Sequence, residues 1–129
     1  MTRWSVGIMA ALLGLAIALV AAPAGVAKDG DVLVRGTCTG ASTSKLKLSD
    51  EDGRIEVEFE VDQNRNGVRW NVTLFQNGRR IARMTRVTRG PSGSFEARIV
   101  APNRAGTDAF RARATRSSGE ACTARASFA

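Results

Sequence analysis

The chain has 129 residues, of which 43% are hydrophobic, and it carries a formal net charge of +7. Histidine and tyrosine are absent, which excludes Ser–His–Asp and Cys–His nucleophilic sites and most zinc sites. Sixteen of the nineteen basic residues are arginine, a bias explained either by a GC-rich genome or by bidentate recognition of phosphate and carboxylate groups.

The first 27 residues have the three parts of a secretory signal peptide. Arg3 supplies the positive charge, residues 6–20 form an almost uninterrupted apolar run, and residues 21–27 are small. This order is typical of a leader that is removed on export. We therefore expect a secreted protein.

Two cleavage positions leave small residues where a signal peptidase reads them, one after Ala24 and the other after Ala27. The alternative is an uncleaved anchor, because residues 6–27 are just long enough to span a bilayer. Cleavage is the favoured interpretation, and it leaves one domain of ordinary size over residues 28–129.

The mature region contains two cysteines, Cys38 and Cys122. An even cysteine count in an exported domain predicts a disulfide. This bond would close a loop of about 84 residues and stabilise the fold by about 4 kcal/mol in the chain-entropy treatment.

Apolar and polar residues alternate with a period of two along most of the mature chain, as they do in half-buried strands. The clearest runs cover residues 55–62 and 68–74, and weaker ones cover 32–38, 95–99, 110–114 and 122–128. Turn residues separate them. The pattern predicts an all-β, immunoglobulin-like β-sandwich of seven or eight antiparallel strands with one disulfide, or a small barrel.

A turn at residues 50–53 predicts a hairpin that sets Leu48 opposite Ile55 and Lys47 opposite Glu56. Apolar residues then share one face, and opposite charges meet on the other.

A second turn, around residues 116–120, sets Cys122 opposite Ala114. Trp70 resembles the buried tryptophan of immunoglobulin-like domains, but the cysteines do not follow the antibody pattern. We expect their bond to fasten the first strand to the last.

The chain resembles a group of small exported proteins from high-GC actinobacteria. The resemblance is carried by residues 36–40 (GTCTG), 61–67 (VDQNRNG), 102–108 (PNRAGTD) and 122–126 (CTARA). No activity is assigned to that group, so the resemblance implies export and an all-β domain only.

Three carboxylates, Glu56, Glu58 and Glu60, share one strand face. Neighbours two residues apart lie about 7 Å from each other, at the lower edge of the carboxyl separation in inverting glycosidases, about 6.5–9.5 Å. A solvated face paired with Lys45 and Lys47 explains them better, and a hydrolase is the least favoured function.

Residues 62–67 match the first half of a calcium loop. The glutamate expected at the twelfth position is replaced by Thr73, so the segment is better interpreted as a turn. We expect no metal and no cofactor.

The arginines form two groups. Five of them, Arg79, Arg80, Arg83, Arg86 and Arg89, fall within eleven residues. The second group, Arg111, Arg113 and Arg125, is predicted to share one outer face, with Arg111 opposite Arg125. Like charges that face each other are destabilising unless a carboxylate or an anion lies between them.

Such a basic surface fits a polyanion such as teichoic acid, extracellular nucleic acid or acidic polysaccharide. The interpretation favoured from sequence alone is that the arginines only protect edge strands from aggregation, with Glu56, Glu58, Glu60 and Glu96 neutralising part of their field. The lack of an interleaved exposed aromatic stripe disfavours a dedicated single-strand nucleic-acid binder.

The sequence thus predicts a non-catalytic exported binding module at or outside the cell envelope, with no sequence-specific recognition of nucleic acid. The alternative is a secreted inhibitor or carrier that presents a loop, such as residues 89–93, to a partner.

Overall fold

The alternating segments form strands in the structure, a computed structural model that describes residues 30–129. The predicted signal peptide and its cleavage positions lie outside the described residues. The strands are β1 (Val32–Arg35), β2 (Thr37–Cys38), β3 (Thr43–Glu51), β4 (Arg54–Asp62), β5 (Arg69–Gln76), β6 (Arg79–Val87), β7 (Ser94–Ala101), β8 (Asp108–Arg116) and β9 (Ala121–Phe128).

These strands form two antiparallel sheets, one with the order β1-β3-β4-β7 and the other with the order β2-β9-β8-β5-β6. The predicted all-β sandwich with one disulfide is confirmed, with nine strands over residues 30–129 rather than seven or eight. Strand β4 pairs with β7, and β5 pairs with β8, although the partners are distant in sequence. The chain thus crosses from one sheet to the other between β4 and β5 and crosses back between β6 and β7. Crossings of this kind produce the Greek-key arrangement of immunoglobulin-like domains.

The core lies between the two sheets, where the apolar half of each alternating run points. Trp70 on β5 is fully buried, and its ring centroid lies 6.0 Å from that of Phe95. Its indole N–H donates to Gln63 Oε1 over 3.0 Å, which satisfies the polar end of the side chain. Trp70 is therefore buried between the sheets, as its resemblance to the core tryptophan of immunoglobulin-like domains predicted.

The hairpin of β3 and β4 differs from the predicted register by two residues. Leu48 lies opposite Val57, not Ile55, and Lys47 lies opposite Glu58, not Glu56. The reason is a two-residue turn at Asp52 and Gly53, whose φ values are 50° and 79°, as in the tight turns that suit twisted hairpins. A shift of two residues keeps every side chain on its predicted face.

The hairpin of β8 and β9 has the predicted register, with Ala114 opposite Cys122 and Arg111 opposite Arg125. The turn between the strands is closed by hydrogen bonds from Arg116 N to Glu120 O and from Gly119 N to Arg116 O.

The segment predicted as one strand over residues 32–38 divides at Gly36, with β1 in one sheet and β2 in the other. A Cβ atom on Gly36 would lie 2.2 Å from Ser44 Oγ and 2.7 Å from Thr123 O, so only glycine lets the chain cross so closely between the sheets.

The disulfide lies just beyond this crossing. Cys38 on β2 bonds Cys122 on β9, and the two residues are directly opposite in the ladder, with Cα atoms 4.0 Å apart. The bond therefore fastens the N-terminal segment to the last strand, as predicted, although the cysteine lies on the second strand.

We expect Gly36→Ala to lower the free energy of unfolding by about 1–3 kcal/mol, because the new methyl group overlaps the backbone oxygen of Thr123. Urea denaturation monitored by tryptophan fluorescence measures this loss. Arg35→Ala is the control, since Arg35 is exposed. A Gly36→Ala protein as stable as this control would contradict the steric explanation.

A buried carboxylate holds the end of the five-stranded sheet. Asp108, fully buried at the start of β8, accepts hydrogen bonds from Gln76 Nε2 at 3.0 Å, Asn77 Nδ2 at 2.9 Å and the backbone N–H of Arg104 at 3.0 Å. Burial raises the pKa of Asp108, but these hydrogen bonds outweigh it and bring the pKa below its ordinary value. Asp108 thus joins the turn after β5 to the segment that precedes β8.

Candidate polyanion-binding surface

The outer side of the five-stranded sheet is covered by arginines. Because Trp70, Val72 and Leu74 point into the core, the alternate residues of β5 and the residues opposite them point outward. We call this side the arginine face. Its arginines are Arg69, Arg80, Arg83, Arg111, Arg113 and Arg125.

Two cross-strand rows lie at the centre of this face. One row runs Arg125, Arg111, Phe75 and Arg80, and the next runs Thr123, Arg113, Thr73 and Arg83. The structure thus brings together five of the eight predicted arginines, two from the segment 79–89 and all three from β8 and β9.

The other three predicted arginines lie elsewhere. Arg86 is opposite Trp70, on the core side of β6, and its Nε donates to the backbone oxygen of Glu96 in the other sheet over 3.2 Å. Arg79 is opposite the buried Gln76, and Arg89 pairs with Ser94 in the turn that leads to β7. The segment 79–89 is therefore not one surface.

A β-bulge explains why Arg80 and Arg83 share a face. Residues three apart in a regular strand point to opposite sides. The β5–β6 register shifts between Leu74 and Phe75, so the extra residue on β6 turns Arg80 to the same side as Arg83.

Sequence reasoning missed two residues of the arginine face, Arg69 and Phe75. Phe75 points outward and is half-buried, with the guanidinium carbon of Arg111 4.0 Å from the centre of its ring. The alternation around Trp70 was the signal that could have found both residues, because it sets odd-numbered positions of this strand outward.

A shallow depression lies at each end of the arginine face. One, of about 570 Å³, is lined by Phe75, Arg111 and Arg125 of this face and extends around the end of the sheet to core-side residues and Val34 of β1. The other, of about 520 Å³, is lined in part by Arg69 and Asn71. Both are open to solvent.

The arginine face has no carboxylate of its own. Within residues 30–129, the outward positions of β5, β6, β8 and β9 include neither aspartate nor glutamate. The two acidic residues of these strands and their turns, Asp108 and Glu120, are buried. In this part of the chain, the arginines that form ion pairs are Arg98 and Arg116, and neither belongs to the arginine face.

The glutamates proposed to neutralise the arginines lie on the outer side of the other sheet. Packed sheets are about 10 Å apart, so carboxylates beyond the second sheet are farther away than the screening length of about 8 Å at physiological salt. They are also engaged locally: Lys45 Nζ lies 3.7 Å from Glu60, and Lys47 Nζ lies 3.9 Å from Glu58. They therefore leave the field of the arginine face largely intact.

The same glutamates were the candidate catalytic carboxylates. The hydrogen bond from Arg98 is the main reason that the pKa of Glu56 falls to about 2. Burial raises the pKa of Glu58, and its contact with Glu56 adds to the rise. These groups form a cross-strand ion-pair network with Arg98 and Lys47.

The two candidate loops pack against each other. In residues 62–67, the segment that matches half of a calcium loop, Asp62 Oδ1 accepts a hydrogen bond from the backbone N–H of Asn64 at 3.0 Å. In the candidate inhibitory loop, residues 89–93, Gly93 N donates to Arg89 O over 2.9 Å, and Gly93 O accepts the N–H of Gln63. The loop is thus a closed turn braced by its neighbour rather than an extended segment.

The described residues, 30–129, contain no helix that could span a bilayer. The disulfide indicates an oxidising compartment. The chain matches no protein-family model, and comparisons with curated proteins and with solved structures found no similar protein either.

Proposed function

We propose that this protein is a non-catalytic, exported module that binds polyanions through the arginine face, at or outside the cell envelope. The observation that carries the proposal is the composition of that face, which has six arginines and, within the described residues, no carboxylate between them.

The cross-strand pairing gives the physical reason. Arg111 and Arg125 are directly opposite each other, and such like-charged pairs are destabilising. Arg113 and Arg83 flank the uncharged Thr73 on its two sides. An anionic polymer bound to these side chains would relieve the repulsion and release its own counterions, which favours binding.

Export is supported by the leader-like residues 1–27 and by the disulfide, which persists in oxidising compartments. The resemblance to exported actinobacterial proteins agrees with this location. The proposal involves no cofactor, because guanidinium groups neutralise phosphate or sulfate by charge-assisted hydrogen bonds alone.

The test is a salt titration of binding to heparin, teichoic acid and single-stranded DNA. For the last of these, we expect log affinity to fall linearly with log salt, with a slope of about −0.7 per neutralised phosphate. Arg83→Ala combined with Arg113→Ala is expected to make the slope shallower by about 1 to 2.

Arg35→Ala combined with Arg54→Ala is the matched control, since it removes the same charge from β1 and β4 of the other sheet. It should leave the slope nearly unchanged. Absence of binding to all three polymers at low salt, or an equal effect of the two double variants, would refute the proposal.

A further inference from the structure

From the geometry of the arginine face we infer that its polyanion is single-stranded nucleic acid, bound along β5 without sequence preference. One base would stack on the guanidinium of Arg111, which Phe75 supports, a platform that the absence of an aromatic stripe in the sequence did not reveal. This inference rests on the proposed function and names the ligand of the same surface.

The first argument is the shape of the path. Strand β5 runs along the middle of the face, with Arg111 and Arg113 on β8 at one side and Arg80 and Arg83 on β6 at the other. Neighbouring strands are about 4.8 Å apart, so the two lines of arginines are separated by about 10 Å. A single extended strand lying along β5 could therefore contact both lines of arginines.

The second argument is the length of the path. The depression at Phe75 and the depression at Arg69 lie at the two ends of β5. Six residues of strand separate these side chains, which corresponds to about 20 Å. Arginines follow this distance, as in the basic grooves that track a nucleic-acid backbone.

The third argument is the stacked pair. The guanidinium of Arg111 covers the ring of Phe75, so the plane on which an unpaired base can stack is the guanidinium, with Phe75 as its support. Teichoic acid and sulfated polysaccharide carry no planar base, so they could not stack on this guanidinium. The pair is the feature that favours nucleic acid among the polyanions.

A single strand is favoured over a duplex by the form of the surface. Duplex readers commonly insert a helix or a two-stranded ribbon into the major groove. Over residues 30–129 there is no helix, and the arginine face belongs to the broad side of a five-stranded sheet. Exposed bases, by contrast, can lie flat on such a sheet.

The experiment compares two fluorescent probes of equal length and charge, an oligo(dT) of about ten nucleotides and its abasic analogue. We expect the abasic probe to bind the wild-type protein about tenfold more weakly, because it lacks the stacked base. Phe75→Leu should weaken oligo(dT) to the level of the abasic probe and leave the abasic affinity unchanged. Phe75→Tyr, which keeps the ring, should retain the preference.

Arg113→Ala serves as the charge control, because it should weaken both probes by the same factor. Thermal unfolding of each variant establishes that it is folded. Equal affinities of the wild-type protein for the two probes would overturn the inference while leaving polyanion binding intact. Failure of both probes, with heparin and teichoic acid also unbound, would overturn the proposed function itself.

Discussion

Changing Cys38 and Cys122 together to alanine is expected to lower the free energy of unfolding by about 4 kcal/mol. The bond closes a loop of 84 residues, and in the chain-entropy treatment a loop of this length restricts the unfolded chain by about that amount. The loss is a large fraction of the stability of a domain of this size, which is typically about 5–15 kcal/mol.

Denaturation in urea, with and without a reducing agent, measures the effect. The reduced wild-type protein should unfold at nearly the same urea concentration as the double variant, since both lack the bond. If the double variant were far less stable than the reduced protein, the additional loss would come from the packing of buried Cys122. A loss below about 1 kcal/mol in both would contradict the prediction.

Replacing Asp108 with asparagine is expected to destabilise the protein by about 3 kcal/mol at neutral pH. The charged oxygens of Asp108 accept hydrogen bonds from two side-chain amides and one backbone N–H, and hydrogen bonds to a charged group are worth about 1.5–3 kcal/mol each. Asparagine has one acceptor oxygen and presents an amide donor to these donors. Asp52→Asn in an exposed turn is the control and should have little effect.

The stabilisation from Asp108 also depends on pH in a defined direction. Because its folded-state pKa lies below the unfolded value of about 3.9, the contribution is complete above about pH 5 and is lost as the pH falls through the folded pKa. The stability difference between the wild-type protein and Asp108→Asn should therefore shrink in acid. A difference that stays constant from neutral pH to about pH 2 would show that the carboxylate charge is not responsible.

The strands and their faces were predictable, because a period of two assigns each residue to one side of a sheet. This held even where the register was wrong, as at Leu48, since a two-residue error preserves the face. The division of the first strand at Gly36 was not predictable, because it depends on the approach of Ser44 and Thr123, which are distant in sequence.

The arginine face was predictable only in part. Arg111 and Arg125 followed from the turn between β8 and β9. Arg80 and Arg83 did not, because the bulge near the start of β6 reverses the alternation between them. The grouping of these arginines with those of β8 depends on the pairing of β5 with both β6 and β8. The pairing of β5 with β8 joins segments that are distant in sequence, so local sequence patterns do not predict it.

Because the chain crosses between the sheets at Gly36, the strand before this residue belongs to the sheet that does not carry the arginine face. Strand β1 lies at the edge of the four-stranded sheet, where Val32 is opposite Leu48. An attachment made ahead of this point joins the domain on the sheet that carries no part of the arginine face. Immobilising the protein through its N-terminal side should thus orient the arginine face toward the solution, where a polymer can bind it. Coupling at random positions would leave part of the molecules with this face against the support.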